Sequence, residues 1–124
     1  MILNHKILIA EDELILQLML HNLLKKMGFT GIEVVSKGSE VIEMCSKFHF
    51  DLILMDIILA DDIDGIEAYR IIKSQKQVPV IYITGNTDYI YRKRAEALGF
   101  VDYLPKPVTY NQLKDIIIPL FSKS

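Results

Sequence analysis

The stretch LILMDIILADDIDG, residues 52–65, joins a wholly apolar run to a cluster of acidic residues. Its first four residues show no alternation of polar and apolar side chains, which is typical of a parallel strand covered on both faces. Asp56 follows at once, and three further aspartates precede Gly65. A carboxylate at the end of a buried strand either marks the polar end of that strand or is positioned for chemistry.

Outward from this stretch, short apolar runs alternate with longer amphipathic ones along the whole chain. Five strand–helix units of this kind predict an α/β protein with a parallel sheet, helices on both faces and right-handed crossovers. The predicted pairs of strand and helix are 6–10 and 13–28, 32–36 and 38–48, 51–56 and 64–75, 78–84 and 87–99, and 100–104 and 109–121.

Length and composition indicate one domain with a substantial core, because the chain has 124 residues of which 51% are hydrophobic. The net charge of −2 offers no basic face for direct contact with nucleic acid. A single cysteine, Cys45, excludes an internal disulfide and favours a reducing, cytoplasmic location. No signal peptide and no apolar run of the ~20 residues that span a bilayer are present, so we expect no membrane association. Met1 favours a natural N-terminus.

Polar residues collect where the predicted strands end. In a parallel sheet these carboxyl ends share one edge, and ligands bind there. Clustered carboxylates repel one another and bind a hard divalent cation such as Mg²⁺, while a lysine and a hydroxyl suit phosphate oxygens. The set therefore predicts phosphoryl transfer with a carboxylate as the nucleophile. Its members are Glu11 and Asp12 after strand one, Asp56 after strand three, Thr84 ending strand four, and Lys106 after strand five.

Taken singly, these residues have simpler explanations. Asp12 suits the N-cap of the first helix, Asp56 a strand end and Lys106 a solvated surface position. Their convergence at one sheet edge is what favours a functional site.

Several other polar and aromatic residues lead to expectations of their own. Asp61 and Asp62 are expected to be solvated loop residues, while Asp64 and Ser39 suit helix N-caps. The aromatic and apolar residues 89–91 cannot all face the core, so one or two are expected at the surface, where they would suit a partner.

Five motifs in order make the chain resemble a response-regulator receiver domain of two-component signalling over residues 5–122. The resemblance implies a single receiver domain over 1–124 with the flavodoxin-like (βα)5 fold and strand order 2-1-3-4-5. The motifs are LIAEDE, LILMDI, DGIEA, VIYITG and DYLPKP.

The resemblance also implies roles for the acidic residues. Asp56 corresponds to the phosphoacceptor, and Mg²⁺ would be held by Asp12, by Asp56 and by the backbone carbonyl of Ile58. Glu11 would act on the metal through water. Glu11 stands where the family often has aspartate, and the loop before Gly65 is one residue longer than the usual pattern.

Three further positions follow from the same resemblance. Lys106 corresponds to the lysine that pairs with the phosphoryl group, Thr84 to the switch hydroxyl and Tyr103 to the switch aromatic. The Lys106–Pro107 bond is expected to be cis.

The implied function is a signalling switch. A sensor histidine kinase or a phosphotransfer protein would donate a phosphoryl group to Asp56, and the surface of the fourth helix, fifth strand and fifth helix would change. The domain would then remove its own phosphoryl group, so it differs from a turnover enzyme. The expected partners are a downstream effector or an attached output domain, and a dimer through the changing surface.

Two alternatives remain open at the level of sequence. A pseudo-receiver would keep the fold as an interaction module without phosphotransfer. A flavodoxin-like cofactor carrier would need a phosphate-binding loop after strand one, where this chain has acidic residues 11–13.

Overall fold

The computed structural model describes residues 4–86 and 88–122, in which five strands alternate with five helices. The expectation for Met1 and the predicted start of the fourth helix at Thr87 lie outside the described residues. The elements are β1 Lys6–Ala10, α1 Leu14–Met27, β2 Gly31–Val35, α2 Gly38–Lys47, β3 Leu52–Met55, α3 Gly65–Lys73, β4 Val80–Thr84, α4 Tyr89–Leu98, β5 Asp102–Pro105 and α5 Tyr110–Ser122.

All neighbouring strands pair in parallel, and their order is β2-β1-β3-β4-β5. This is the flavodoxin-like order that the resemblance implied, so the predicted fold is confirmed. Ala10 at the end of β1 pairs with Met55 at the end of β3. The residues that follow these two strands therefore begin side by side at the carboxyl edge of the sheet.

The sheet is covered on both faces. One apolar cluster packs α1 and α5 against it, and a second packs α2, α3 and α4 against the other face. All four residues of β3 and all five of β4 are buried. This explains why LILM in β3 carries no polar alternation.

Helix ends agree in part with the sequence-based expectations. Gly28 ends α1 with φ 106°, a left-handed conformation that glycine adopts without a Cβ clash. Glu13 holds the N-cap position of α1, so the simpler alternative explanation of Asp12, as the cap of this helix, is wrong. Lys37 precedes α2, which places Ser39 inside the helix and makes its predicted cap role wrong as well.

The fifth strand begins two residues later than predicted. Gly99 ends α4 with φ 82°, and the chain then reaches the sheet through a bond from the Val101 N–H to the Val80 carbonyl, 2.8 Å long. Pro119 lies within α5, which continues to Ser122. Among the described residues, no helix combines the length and the apolar character needed to cross a membrane.

At Gly38, close packing of the backbone leaves no room for a side chain. A Cβ there would lie 2.1 Å from the carbonyl oxygen of Ile63 and 2.8 Å from the Ile63 Cβ. Contacts this short cannot form without moving the loop that carries Ile63.

We therefore expect Gly38→Ala to lower the free energy of unfolding by about 2 kcal/mol, although alanine favours helices more than glycine does. Urea denaturation followed by circular dichroism measures the change. Gly85→Ala is the matched control, because the nearest atom to its Cβ would be Lys106 Cδ at 3.9 Å. Equal stability of the two variants would contradict the expectation.

Candidate functional site

Three carboxylates meet at the carboxyl edge of the sheet. One oxygen from each of Glu11, Asp12 and Asp56 lies within 4.8 Å of the other two. The pairing of β1 with β3 brings these carboxylates together, since the Asp56 N–H donates to the Ala10 carbonyl at 2.9 Å. Glu11 is 1% exposed and Asp56 is 7% exposed, whereas Asp12 lies at the surface.

Lys106 brings a positive charge to this cluster from the far strand β5. Its Nζ lies 2.7 Å from Asp56 Oδ2 and 2.8 Å from Glu11 Oε1. Burial acts to lower the pKa of Lys106, but the hydrogen bonds to Asp56 and Glu11 outweigh it, so the pKa is raised. The ammonium group is therefore charged at any physiological pH. The Lys106–Pro107 peptide bond is cis, the isomer that the resemblance implied.

Backbone N–H groups orient the two buried carboxylates. Glu11 Oε2 accepts from the Glu13 N–H at 3.0 Å, and Asp56 Oδ1 accepts from the Ile57 N–H at 2.7 Å. Burial raises the pKa of Glu11; the bonds from Lys106 and Glu13 oppose this, and the Asp56 charge adds to it. Each carboxylate thus has one oxygen bonded to the backbone and the other to Lys106.

This donor set fits a hard divalent cation. Carboxylate oxygens are the ligands that Mg²⁺ prefers, and it uses one or two of them with water and phosphate oxygens. One lysine balances only part of the charge of three carboxylates, so a further cation would be electrostatically favourable. Ile58 lies two residues beyond Asp56 in the adjoining loop with an exposed side chain. Its role as a carbonyl ligand stays a prediction.

Thr84 ends β4, and Tyr103 lies in β5, the strand paired with it. The buried Thr84 hydroxyl accepts from the Asn86 N–H at 3.1 Å, and the Thr84 carbonyl accepts from the Lys106 N–H at 3.0 Å. The Tyr103 ring lies 5.7 Å from the Tyr82 ring. Burial raises the pKa of Tyr103. An open pocket of about 310 Å³ lies between Thr84 and Tyr103.

The loop between β3 and α3, residues 57–64, is more firmly attached than the sequence suggested. Asp61 accepts hydrogen bonds from the N–H groups of Gly38 and Ser39 at 2.9 and 3.1 Å and from the Ser39 hydroxyl at 2.6 Å. The expectation of a solvated Asp61 is therefore wrong. This residue satisfies the first N–H groups of α2, which is the role predicted for Ser39.

Asp64 attaches the other end of the loop. It caps α3 by accepting the Glu67 N–H at 2.8 Å, which confirms the prediction. It also pairs with Arg94 of α4 at 2.9 Å. Sequence reasoning missed both Asp61 as a cap and Arg94 as a partner, since no spacing in the chain signals contacts between such distant residues. Asp62 is exposed, as expected.

At the start of α4, Tyr89 is 68% exposed and Ile90 is 66% exposed, while Tyr91 is half-buried. Two of the three residues therefore reach the surface, in agreement with the sequence-based expectation.

Comparisons with known proteins point to one family. The family model for the response regulator receiver domain matches residues 7–118. The TorCAD operon transcriptional regulatory protein TorR of Escherichia coli (strain K12) is 33% identical over 109 residues, which cover 88% of this chain and 46% of TorR. The histidine-protein kinase BarA of Shigella flexneri is 33% identical over 90 residues, covering 70% of this chain and 10% of BarA.

A solved structure agrees. The receiver domain of the sensor histidine kinase PA1611 from Pseudomonas aeruginosa PAO1, with a magnesium ion coordinated in its active site cleft, matches with a TM-score of 0.85 and 29% identity. The match covers 96% of this chain and 98% of that one.

The chain thus belongs to the response-regulator receiver domain family of two-component signalling. Magnesium binding is typical of this family. The chain spans about half or less of the length of the curated relatives it matches, which include both regulators and kinases.

Lys106→Met tests the electrostatic balance of the site. Removing the ammonium leaves two buried carboxylates without their shared cation, so we expect a loss of about 3 kcal/mol in unfolding free energy at pH 7. Because the pKa of Glu11 is raised above its ordinary value of 4.5, its contribution to stability is present at low pH and disappears as the pH rises past that value. The loss should therefore be smaller at pH 4 than at pH 7.

Urea denaturation at both pH values, with EDTA to remove divalent cations, measures this difference. Lys93→Met, which removes an exposed lysine of α4, should change stability by less than about 0.5 kcal/mol. A loss for Lys106→Met that is the same at both pH values would show that packing, not charge, dominates.

Proposed function

We propose that residues 1–124 form a single receiver domain that acts as a phosphorylation switch, with Asp56 as the phosphoacceptor. The observation that carries the proposal is the ion pair of Asp56 with Lys106 beside Glu11 and Asp12. A carboxylate next to a fixed ammonium group and further acidic ligands suits phosphoryl transfer, where catalysis is mostly positioning and charge stabilisation.

The transfer needs a nucleophile held in place. Asp56 has one oxygen fixed by the Ile57 N–H and the other by Lys106. In the proposed step, an Asp56 oxygen attacks the phosphorus of a phospho-histidine. The P–N bond breaks, its electron pair stays on the histidine nitrogen, and an acyl phosphate forms on Asp56.

The metal and the lysine share the charge of the transferring group. Asp12, Asp56 and the Ile58 carbonyl would hold Mg²⁺, with Glu11 acting through water, and the ion would neutralise phosphoryl oxygens. Lys106 reaches the same region as Asp56, so its ammonium can pair with a phosphoryl oxygen while it stays beside Glu11.

In this proposal, Thr84 and Tyr103 transmit the phosphorylation of Asp56 to the surface of the domain. The Thr84 hydroxyl would donate to a phosphoryl oxygen, and Tyr103 would change position, which alters the α4–β5–α5 face. That face would serve an effector, an attached output domain or a second copy of the chain. Loss of the phosphoryl group to water, promoted by the domain itself, would reset this two-state equilibrium. The cytoplasmic location expected from the sequence stays a prediction.

The first test is the intact-protein mass after incubation with acetyl phosphate and Mg²⁺. We expect the wild type to gain one phosphoryl group, and Asp56→Asn to gain none because an amide oxygen is a poor nucleophile. Removing the metal with EDTA should also prevent the gain.

Asp62→Asn is the matched control, since it removes an exposed aspartate from the same loop. A gain that survives in Asp56→Asn would move the acceptor to another residue. No gain in the wild type from either acetyl phosphate or a phosphorylated histidine kinase would favour the pseudo-receiver, an interaction module without phosphotransfer.

An exposed apolar surface on α1 supports a protein as the phosphoryl donor. Leu14, Ile15 and Leu18 are 68%, 79% and 55% exposed, and they follow closely after Asp12 in the chain. Apolar side chains grouped beside a reactive carboxylate suit contact with another protein. We infer that the donor, a sensor histidine kinase or a phosphotransfer protein, covers this surface during transfer.

Ile15→Glu should then slow phosphoryl transfer from a phosphorylated donor protein at least tenfold, because it places a charge in an apolar contact. The rate with acetyl phosphate should stay unchanged. Phe48→Glu is the control, because Phe48 is 49% exposed and follows α2 at the opposite edge of the sheet. Parallel loss of both rates in Ile15→Glu would indicate damage to the site and not to donor contact.

A further inference from the structure

We propose that Arg94 is a positioning residue that links the 57–64 loop to α4, so that the state of Asp56 and the arrangement of α4 depend on each other. The inference rests on the proposed function and adds a second route from the site to the α4–β5–α5 face. Its basis is a two-point contact. Arg94 Nη1 lies 2.9 Å from Asp64 Oδ2, and Arg94 Nη2 lies 3.3 Å from Asp64 Oδ1.

One end of the link is fixed to the phosphoacceptor. Asp64 caps α3, and the N–H of the next residue, Gly65, donates to the Ile57 carbonyl at 2.7 Å. A Cβ on Gly65 would lie 2.2 Å from the Asp56 carbonyl oxygen, so the two backbones are in direct contact. A shift of the backbone around Asp56 therefore displaces Asp64.

The other end is fixed to the body of α4. Arg94 is half-buried, and the following residue, Ala95, is fully buried against the core. The pKa of the buried Tyr82 is raised chiefly by burial and also responds to the charges of Asp64 and Arg94. The Arg94 side chain is 39% exposed, so solvent screens its charge only in part.

No other ion pair among the described residues makes this kind of connection. Apart from the Lys106 pairs at the site, the remaining ones join residues two to four positions apart in the chain. Asp64 and Arg94 are 30 positions apart and belong to different strand–helix units. A planar two-point contact is directional, so α4 cannot turn or slide against the loop without breaking it.

Coupling of this kind is reciprocal, so a change in either the 57–64 loop or α4 should be detectable in the other. Hydrogen exchange followed by mass spectrometry on segments 57–64 and 89–98 gives the readout. The variants are Arg94→Met, Asp64→Asn and the double variant. Asparagine retains the N-cap of α3 while losing the charge that Arg94 needs.

In the unphosphorylated protein, we expect each single variant to speed exchange about two- to fivefold in both segments. The double variant should add nothing further, because each change already removes the same contact. After loading with acetyl phosphate and Mg²⁺, the change of exchange in α4 should be smaller in the variants than in the wild type.

Arg70→Met is the control, since the Arg70–Glu67 pair lies within α3 and joins no second element. The link would be overturned if hydrogen exchange in the loop stayed at the wild-type rate in Arg94→Met. It would also be overturned if the double variant showed the sum of the two single-variant effects.

The loaded and unloaded comparisons separate this inference from the proposed function. A wild type that takes no phosphoryl group from either acetyl phosphate or a phosphorylated histidine kinase would refute the proposed function and the signalling part of the inference together. The unloaded comparison needs no phosphoryl group and supports or overturns the mechanical link by itself. Normal mass gain on Asp56 in Arg94→Met, with an unchanged α4 response, would overturn the inference and leave the proposed function standing.

Discussion

Repulsion among the carboxylates at the ends of β1 and β3 is the constraint on which the rest of the site depends. Glu11 and Asp56 are almost inaccessible to solvent, and two buried negative charges are costly without a cation. Lys106 provides that cation from β5, two strands away from β3. The sheet order therefore matters chemically, because it brings the end of β5 to the same edge as the acids. Stability and the proposed reactivity are opposed here, since the arrangement that would make Asp56 a nucleophile also lowers the stability of the fold.

Much of this was predictable from the sequence, for physical reasons that differ between elements. Buried parallel strands read as continuous apolar runs, so LILM and VIYIT identified β3 and β4. Once the strands are placed, their polar ends must share one edge of the sheet. The sequence therefore predicted that Glu11, Asp12 and Asp56 lie close together. The starts of β4 and β5 were both predicted two residues early, because apolar residues such as Val78 and Phe100 precede each strand. The start of β5 also depends on how α4 ends, which a hydrophobic pattern does not show.

The long-range contacts of the 57–64 loop could not be predicted from the sequence. Asp61 binds residues 22 and 23 positions before it, and Asp64 binds a residue 30 positions after it. An aspartate in a polar loop has the same local signature whether it is solvated or caps a distant helix. Local rules did identify Asp64 as the cap of its own helix, because that contact spans only three residues. Contacts between residues close together in the chain could thus be predicted from the sequence, whereas contacts between distant residues could not.

The cap that Asp61 provides for α2 has a consequence for the order in which the protein folds. The first amide groups of this helix find their acceptor in a residue that is synthesised more than twenty positions later. Until that segment has left the ribosome and docked, these groups must be hydrated, and an isolated ten-residue helix is marginal in water. The cap that Asp61 provides for α2 therefore forms only when the third strand and its loop are in place.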